Sequence, residues 1–176
     1  MFGGTALMGR REHRVSSHGH PASGTALPCV VPLVCVAMTR PPYQLQQIDH
    51  IVLRVHDTIA MQTFYCNVLG CSVERHQDEI GLLQLRAGTS LIDLVSIDGK
   101  LGRMGGAAPG VEGRNLDHFC LRVEPFDRDA IVAHLEAHGV RLGEFGSRYG
   151  AQGEGPSQYL FDPEGNLVEL KGPPSQ

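Results

Sequence analysis

Tryptophan is absent from this 176-residue chain, and aromatic residues make up only 6% of it. A surface that stacks unpaired bases draws on several exposed rings, so a single-strand nucleic-acid platform is not expected. Excess positive charge is missing too. With 15 basic against 19 acidic residues the formal net charge is −4, which gives no field for wrapping a phosphate backbone. No apolar run reaches the roughly 18 residues of a spanning helix, so no membrane insertion is expected. The five cysteines (29, 35, 66, 71 and 120) form no C-x-x-C pair. That argues against a zinc ribbon or a disulfide framework and for reduced thiols in a cytoplasmic setting. What the chain has in quantity is punctuation: 22 glycines and 11 prolines imply many turns and short strands.

Residues 1–44 read unlike the rest. Arg10, Arg11 and Arg14 sit among Ser, Gly, His and Pro, and the apolar piece Ala26–Met38 contains two prolines and no clear A-x-A cleavage site. A signal peptide fits this poorly. The segment is expected to be a disordered extension, with Met38 as a plausible true start and a folded domain over 45–174.

That domain is organised by an internal repeat. Asp49-His50-Ile51-Val52-Leu53-Arg54-Val55 returns as Asp117-His118-Phe119-Cys120-Leu121-Arg122-Val123, with five of seven residues identical at an offset of 68. A helical stretch follows each copy. Asp57 is the expected cap and Gly70 the stop of the first; Asp127 or Asp129 caps the second, and Gly139 ends it. Short alternating runs come next: 72–75, 82–86 and 90–95, then 140–142, 157–161 and 166–171, with Asp-Pro-Glu-Gly making the last turn. Each half is therefore β-α-β-β-β, one over 45–97 and the other over 115–174, joined by a glycine-rich linker. The glycine-rich stretch 143–155 reads as a loop, a candidate lid carrying Arg148.

Strand periodicity assigns faces. Ile51, Leu53 and Val55 share the side that packs under a helix, and Phe119, Leu121 and Val123 do the same in the second copy. His50, Arg54, His118, Cys120 and Arg122 point the other way. In the last strand of each half, Asp93 and Glu169 oppose the packed residues. Two histidines and two carboxylates thus emerge on the sheet faces without helices. Imidazole and carboxylate groups in an open site suit one divalent ion of iron, manganese, nickel, cobalt or zinc. Arg54 and Arg122, on the same faces, are candidates for holding an anionic substrate. His134 and His138, four apart on the second helix, read as a solvated face.

At D-H-I-V-L-R-V, F-Y-C-N-V-L-G, D-H-F-C-L-R-V and Y-L-F-D-P-E-G-N-L-V-E-L the chain resembles the vicinal oxygen chelate superfamily of glyoxalase I, extradiol dioxygenases and bleomycin-resistance proteins. The resemblance implies an α+β fold of two βαβββ modules forming a cupped mixed sheet around one metal ion. Its ligands would be His50, Asp93, His118 and Glu169, supplied within one chain or across a homodimer. It also implies a small-molecule substrate with adjacent oxygens. A lactoylglutathione-lyase-like lyase or isomerase, with Glu169 moving a proton, is preferred. A ring-cleaving dioxygenase is the first alternative, since the spacing of Tyr159 and Glu169 matches those enzymes, but the histidine they carry before that tyrosine is missing from 146–158. A drug-binding resistance protein without catalysis is the second.

Overall fold

The computed structural model describes residues 41–175; the expectations for residues 1–40, including a start at Met38, lie outside the described residues. Leu45–Gln176 make up one compact unit. Within it two four-stranded sheets repeat one plan. The first runs in the order β1 (His50–Val55), β4 (Ser90–Ser96), β3 (Leu82–Ala87), β2 (Ser72–Gln77). The second runs β5 (His118–Arg122), β8 (Leu167–Lys171), β7 (Gly153–Phe161), β6 (Leu142–Gly150). In each sheet the first and last strands of the module pair in parallel and the other pairs are antiparallel. The α+β architecture of paired βαβββ modules is thus present. No described helix is long and apolar enough to cross a membrane.

The helices start where their caps dictate. Asp57 accepts from the Ala60 amide before α1 (Thr58–Thr63), and Asp127, not Asp129, accepts from the Ala130 amide before α2 (Arg128–Ala137). Gly70 and Gly139 follow the two helical segments at φ +78° and +68°, a conformation that side chains with a Cβ rarely adopt. The first helix differs from expectation. After Thr63 it widens into a π-type turn over Phe64–Val68, and the consecutive rings of Phe64 and Tyr65 both enter the core.

One core serves both modules. Leu53, Val55, Leu85 and Leu94 under the first sheet join Phe119, Leu160 and Val168 under the second, and Tyr65 meets Phe119 at a ring separation of 6.4 Å. Burial of such side chains contributes roughly 1.5–3 kcal/mol each. A polar seam fixes the register between the modules. Asn115 exchanges hydrogen bonds with the backbone N–H and C=O of Arg54 and donates to Asn166, while Glu164 accepts from the amides of His56 and Asp57. The Asp-Pro-Glu-Gly-Asn turn is therefore docked on the end of β1. His134, exposed as expected for its helix face, also contacts the Val68 carbonyl at 2.9 Å, tying α2 to the first module.

The stretch 143–155 is not a loop. It forms most of a nine-residue by nine-residue hairpin, β6 with β7, in which Tyr149 pairs with Glu154 and Gly150 with Gly153. The glycines that suggested a loop mark close approach: a Cβ on Gly155 would lie 2.4 Å from the Pro173 carbonyl oxygen. The matching hairpin of the first module, β2 with β3, has only six residues per strand.

Candidate metal centre

The two repeat histidines are held alike. Nδ1 of His50 lies 2.8 Å from Asp49 Oδ1, and Nδ1 of His118 lies 2.6 Å from Asp117 Oδ2. An ionised carboxylate only accepts, so each ring donates from Nδ1, and in the neutral ring this leaves the Nε2 lone pair for a ligand. This carboxylate–histidine pairing fixes tautomer and ring orientation in metal sites. His50 is raised above its ordinary pKa, first by the Asp49 hydrogen bond and then by the Asp93 charge.

Both carboxylates are buried, each with 5% of its surface exposed, and burial at that level demands partners. Each finds one directly opposite on the neighbouring strand. Gln84 pairs with Asp93 in the β3–β4 ladder and donates Nε2 to both its oxygens, at 3.1 and 3.2 Å. Tyr159 pairs with Glu169 in the β7–β8 ladder and donates its hydroxyl to Oε2 at 3.0 Å. Ser157, wholly buried, donates to the other Glu169 oxygen at 2.5 Å. His118 Nε2 stands 3.5 Å from Glu169 Oε2, and the His118 and Tyr159 rings meet edge to face at 5.6 Å. The Tyr159 hydroxyl is raised above its ordinary pKa, by burial and then by Glu169, and so remains a proton donor to that carboxylate at neutral pH.

The candidate residues thus fall into two pairs, His50 with Asp93 and His118 with Glu169. Among the described residues no three His, Cys, Asp or Glu side chains gather tightly enough to hold an ion. The donor chemistry fits a divalent ion: two imidazoles oriented through Nδ1, two buried carboxylates, no thiolate. Cys120, beside Glu169 in the ladder, does not add one. Loss of water around its sulfur and the Glu169 charge push the thiol up to about 11, so it stays protonated at neutral pH.

The three arginines have different fates. The Arg54 guanidinium donates to the carbonyls of Gly102, Gly105, Gly106 and Ala107. It holds the linker in place, and those bonds leave it poorly available to a substrate. Arg148 bonds Glu144 at 2.9 Å and lies 5.7 Å from the centre of the Tyr159 ring, on the hairpin and not on a lid. Arg122 lines the clefts in front of His118. The sequence reading overlooked Asp49, Asp117, Gln84 and Ser157. For the two aspartates the signal was in plain view, because Asp precedes His in both copies of the repeat.

The fold defines a duplicated βαβββ protein with candidate metal-ligating groups on the first and last strand of each module. The family model of the Glyoxalase/Bleomycin resistance protein/Dioxygenase superfamily matches residues 47–170, and the chain belongs to that superfamily. Among similar solved structures is a virulence protein of Salmonella typhimurium, 25% identical, with a TM-score of 0.62 over 74% of this chain and 99% of that one. Two others share the fold. Lactoylglutathione lyase from Agrobacterium tumefaciens is 21% identical, with a TM-score of 0.54 over 74% of this chain and 96% of that one. TnmS3, an antibiotic binding protein from Streptomyces sp. CB03234, is 23% identical, with a TM-score of 0.55 over 74% and 98%.

Proposed function

We propose that the protein is a divalent-metal-dependent enzyme, a lyase or isomerase acting on a small molecule with two adjacent oxygens. The observation that carries this reading is the repeated Asp–His pairing, which holds each ring through Nδ1 and leaves Nε2 as its coordinating atom. His50, Asp93, His118 and Glu169 would hold the ion. Because the two pairs stand apart in one chain, we infer that a homodimer completes the sphere, His50 and Asp93 of one protomer facing His118 and Glu169 of its partner. A divalent ion bound there supplies Lewis acidity to a chelating substrate and stabilises charge as it develops.

The chain's own groups do the rest. Glu169 carries the proton between adjacent substrate carbons, as general base and then general acid. Tyr159 and Ser157 hold its two oxygens, so the carboxylate stays oriented whether charged or protonated. This use of the Tyr159 hydroxyl favours an isomerase over a dioxygenase, in which that hydroxyl would contact the substrate. The test is metal analysis of the purified protein followed by assay with the hemithioacetal of methylglyoxal and glutathione. The reading expects stoichiometric metal, its loss in His118→Ala, and turnover that fails in Glu169→Gln. A protein that never holds stoichiometric metal overturns it and leaves a small-molecule binding protein. Iron content with oxygen uptake on catechols, and no isomerisation, overturns it in favour of the dioxygenase.

A further inference from the structure

His134 stands in the last turn of α2 and His138 caps its C-terminus. Neither lines the clefts in front of His50 and His118, and the metal reading above makes no use of them. Four residues turn a helix through about 400°, so both side chains leave the same face. Their ring centres lie 4.4 Å apart with the planes inclined at 49°. Two imidazoles on one ion, with bonds of about 2.1 Å at about a right angle, set their ring centres about 4.6 Å apart. The exposed pair stands close to the spacing that a shared ion sets.

Each ring has one nitrogen already fixed. His134 Nε2 lies 2.9 Å from the Val68 carbonyl, and His138 Nδ1 lies 2.8 Å from the carbonyl of His134 itself. A carbonyl oxygen only accepts, so these nitrogens donate. In the neutral rings the lone pairs then sit on His134 Nδ1 and His138 Nε2. Ligating histidines give their second N–H to a carbonyl or carboxylate, which orients the ring and strengthens the nitrogen that binds the ion. Both members of this pair have such a partner in place. The C-terminal end of a helix also carries partial negative charge, which favours a cation beside His138.

The geometry points to a second divalent-metal site, formed by Nδ1 of His134 and Nε2 of His138 and independent of the candidate centre on the sheets. It takes an ion that prefers imidazole, copper(II) first and then nickel(II) or zinc; calcium and magnesium, which seek oxygen ligands, do not suit it. Among the described residues no third ligating side chain completes the sphere, so water fills the other positions and the ion exchanges readily. His134 keeps its bond to Val68 when Nδ1 is ligated. A bound ion therefore braces the last turn of α2 against the first module.

The full-length protein is titrated with copper(II) at about pH 7.5, where unperturbed imidazole is mostly neutral. Calorimetry gives the affinities, and nitrogen hyperfine splitting in electron paramagnetic resonance gives the ligand set. One equivalent with two-nitrogen ligation is expected, and His118→Ala should leave it in place. His138→Gln, at a ring that bonds its own helix, should weaken that equivalent about 100-fold, as when a two-armed chelate is cut to one arm. His134→Gln should do the same. Glu136→His combined with His138→Gln keeps the number of histidines and moves the second to another face of the helix, so it should bind no better than His138→Gln alone. The site is overturned if the wild type shows no such equivalent, or if His138→Gln holds it at wild-type affinity. Recovery in the Glu136→His combination, or loss in His118→Ala, overturns it as well, the latter by assigning the ion to the candidate centre.

Discussion

The hydroxyl of Tyr65 lies 2.9 Å from Asp162 Oδ2, joining the first module's helical segment to the turn before the second module's last strand. Both residues are buried. Asp162 also accepts from the amides of Glu164 and Asn166 and from the Asn166 side chain. One carboxylate thus ties down the turn that delivers Glu169 and fastens it to the module that delivers His50.

Tyr65→Phe deletes one donor to that carboxylate without opening a cavity. A hydrogen bond to a charged group contributes about 1.5–3 kcal/mol, and urea unfolding at pH 7 should show a loss in that range. Burial holds Asp162 above its ordinary pKa, against the pull of its hydrogen bonds. The folded state therefore binds its proton more tightly than the unfolded chain, and this group's contribution falls as pH rises through the gap between the two values. Removing the Tyr65 donor widens the gap. The variant's deficit should then be largest at neutral pH and smaller at acid pH, once Asp162 is protonated in both states. An equal deficit at both pH values would show that the hydroxyl does not act through the Asp162 charge.

Asp117 is exposed, and among the described residues its side chain contacts the site through His118 Nδ1. Asp117→Ala should leave the melting temperature within about 2 °C of wild type, since exposed substitutions of this kind cost at most about 0.5 kcal/mol. Metal affinity, measured by competition with a chelator, should drop about 10–100-fold as the ring loses its fixed tautomer. Asp49→Ala should behave in the same way through His50. Unchanged affinity in both variants would mean that these rings do not serve as ligands.

Much of this arrangement was legible in the sequence because the first strand of each module repeats five of seven residues. The identical Asp-His and Leu-Arg-Val pieces located β1 and β5 and gave their faces, and Leu53, Val55, Phe119 and Val168 are indeed core residues. The β6–β7 hairpin was legible only in part. Only the run 157–161, the inner half of β7, stood out; β6 has no fully buried residue and so lacks the apolar alternation that marks a half-buried strand, and glycines there serve close approach to other chain segments. The engagement of Arg54 was not legible, since its partners are carbonyls, which every residue possesses. Gln84 and Ser157 escaped because their roles depend on cross-strand register, which only the folded hairpins set.

If the two half-sites meet across a dimer, complementation should reveal it. His50→Ala and His118→Ala homodimers would each lack a ligand in every site. After mixing and subunit exchange, a heterodimer would pair His50 of the His118→Ala chain with His118 of the His50→Ala chain and so rebuild one intact sphere. High-affinity metal binding should reappear at up to one ion per heterodimer. Sites formed within single chains would give no recovery, provided exchange is verified by mass spectrometry of differently tagged protomers.

Glu169 separates proton transfer from positioning. Glu169→Gln keeps the size of the side chain and removes the base, and should lower kcat by about 10²–10⁴-fold in the hemithioacetal assay. Tyr159→Phe and Ser157→Ala leave the base in place and each take away one hydroxyl from its oxygens. Each should cost about 10-fold in kcat with KM little changed, because an orienting hydrogen bond to a charged group is lost and no substrate contact is. The double variant, which leaves a buried carboxylate with neither hydroxyl, should lose more than the product of the single effects, since the surviving donor compensates in each single variant. A Tyr159→Phe variant that raises KM instead would move that hydroxyl from Glu169 to the substrate, and with it the chemistry from isomerisation towards ring cleavage.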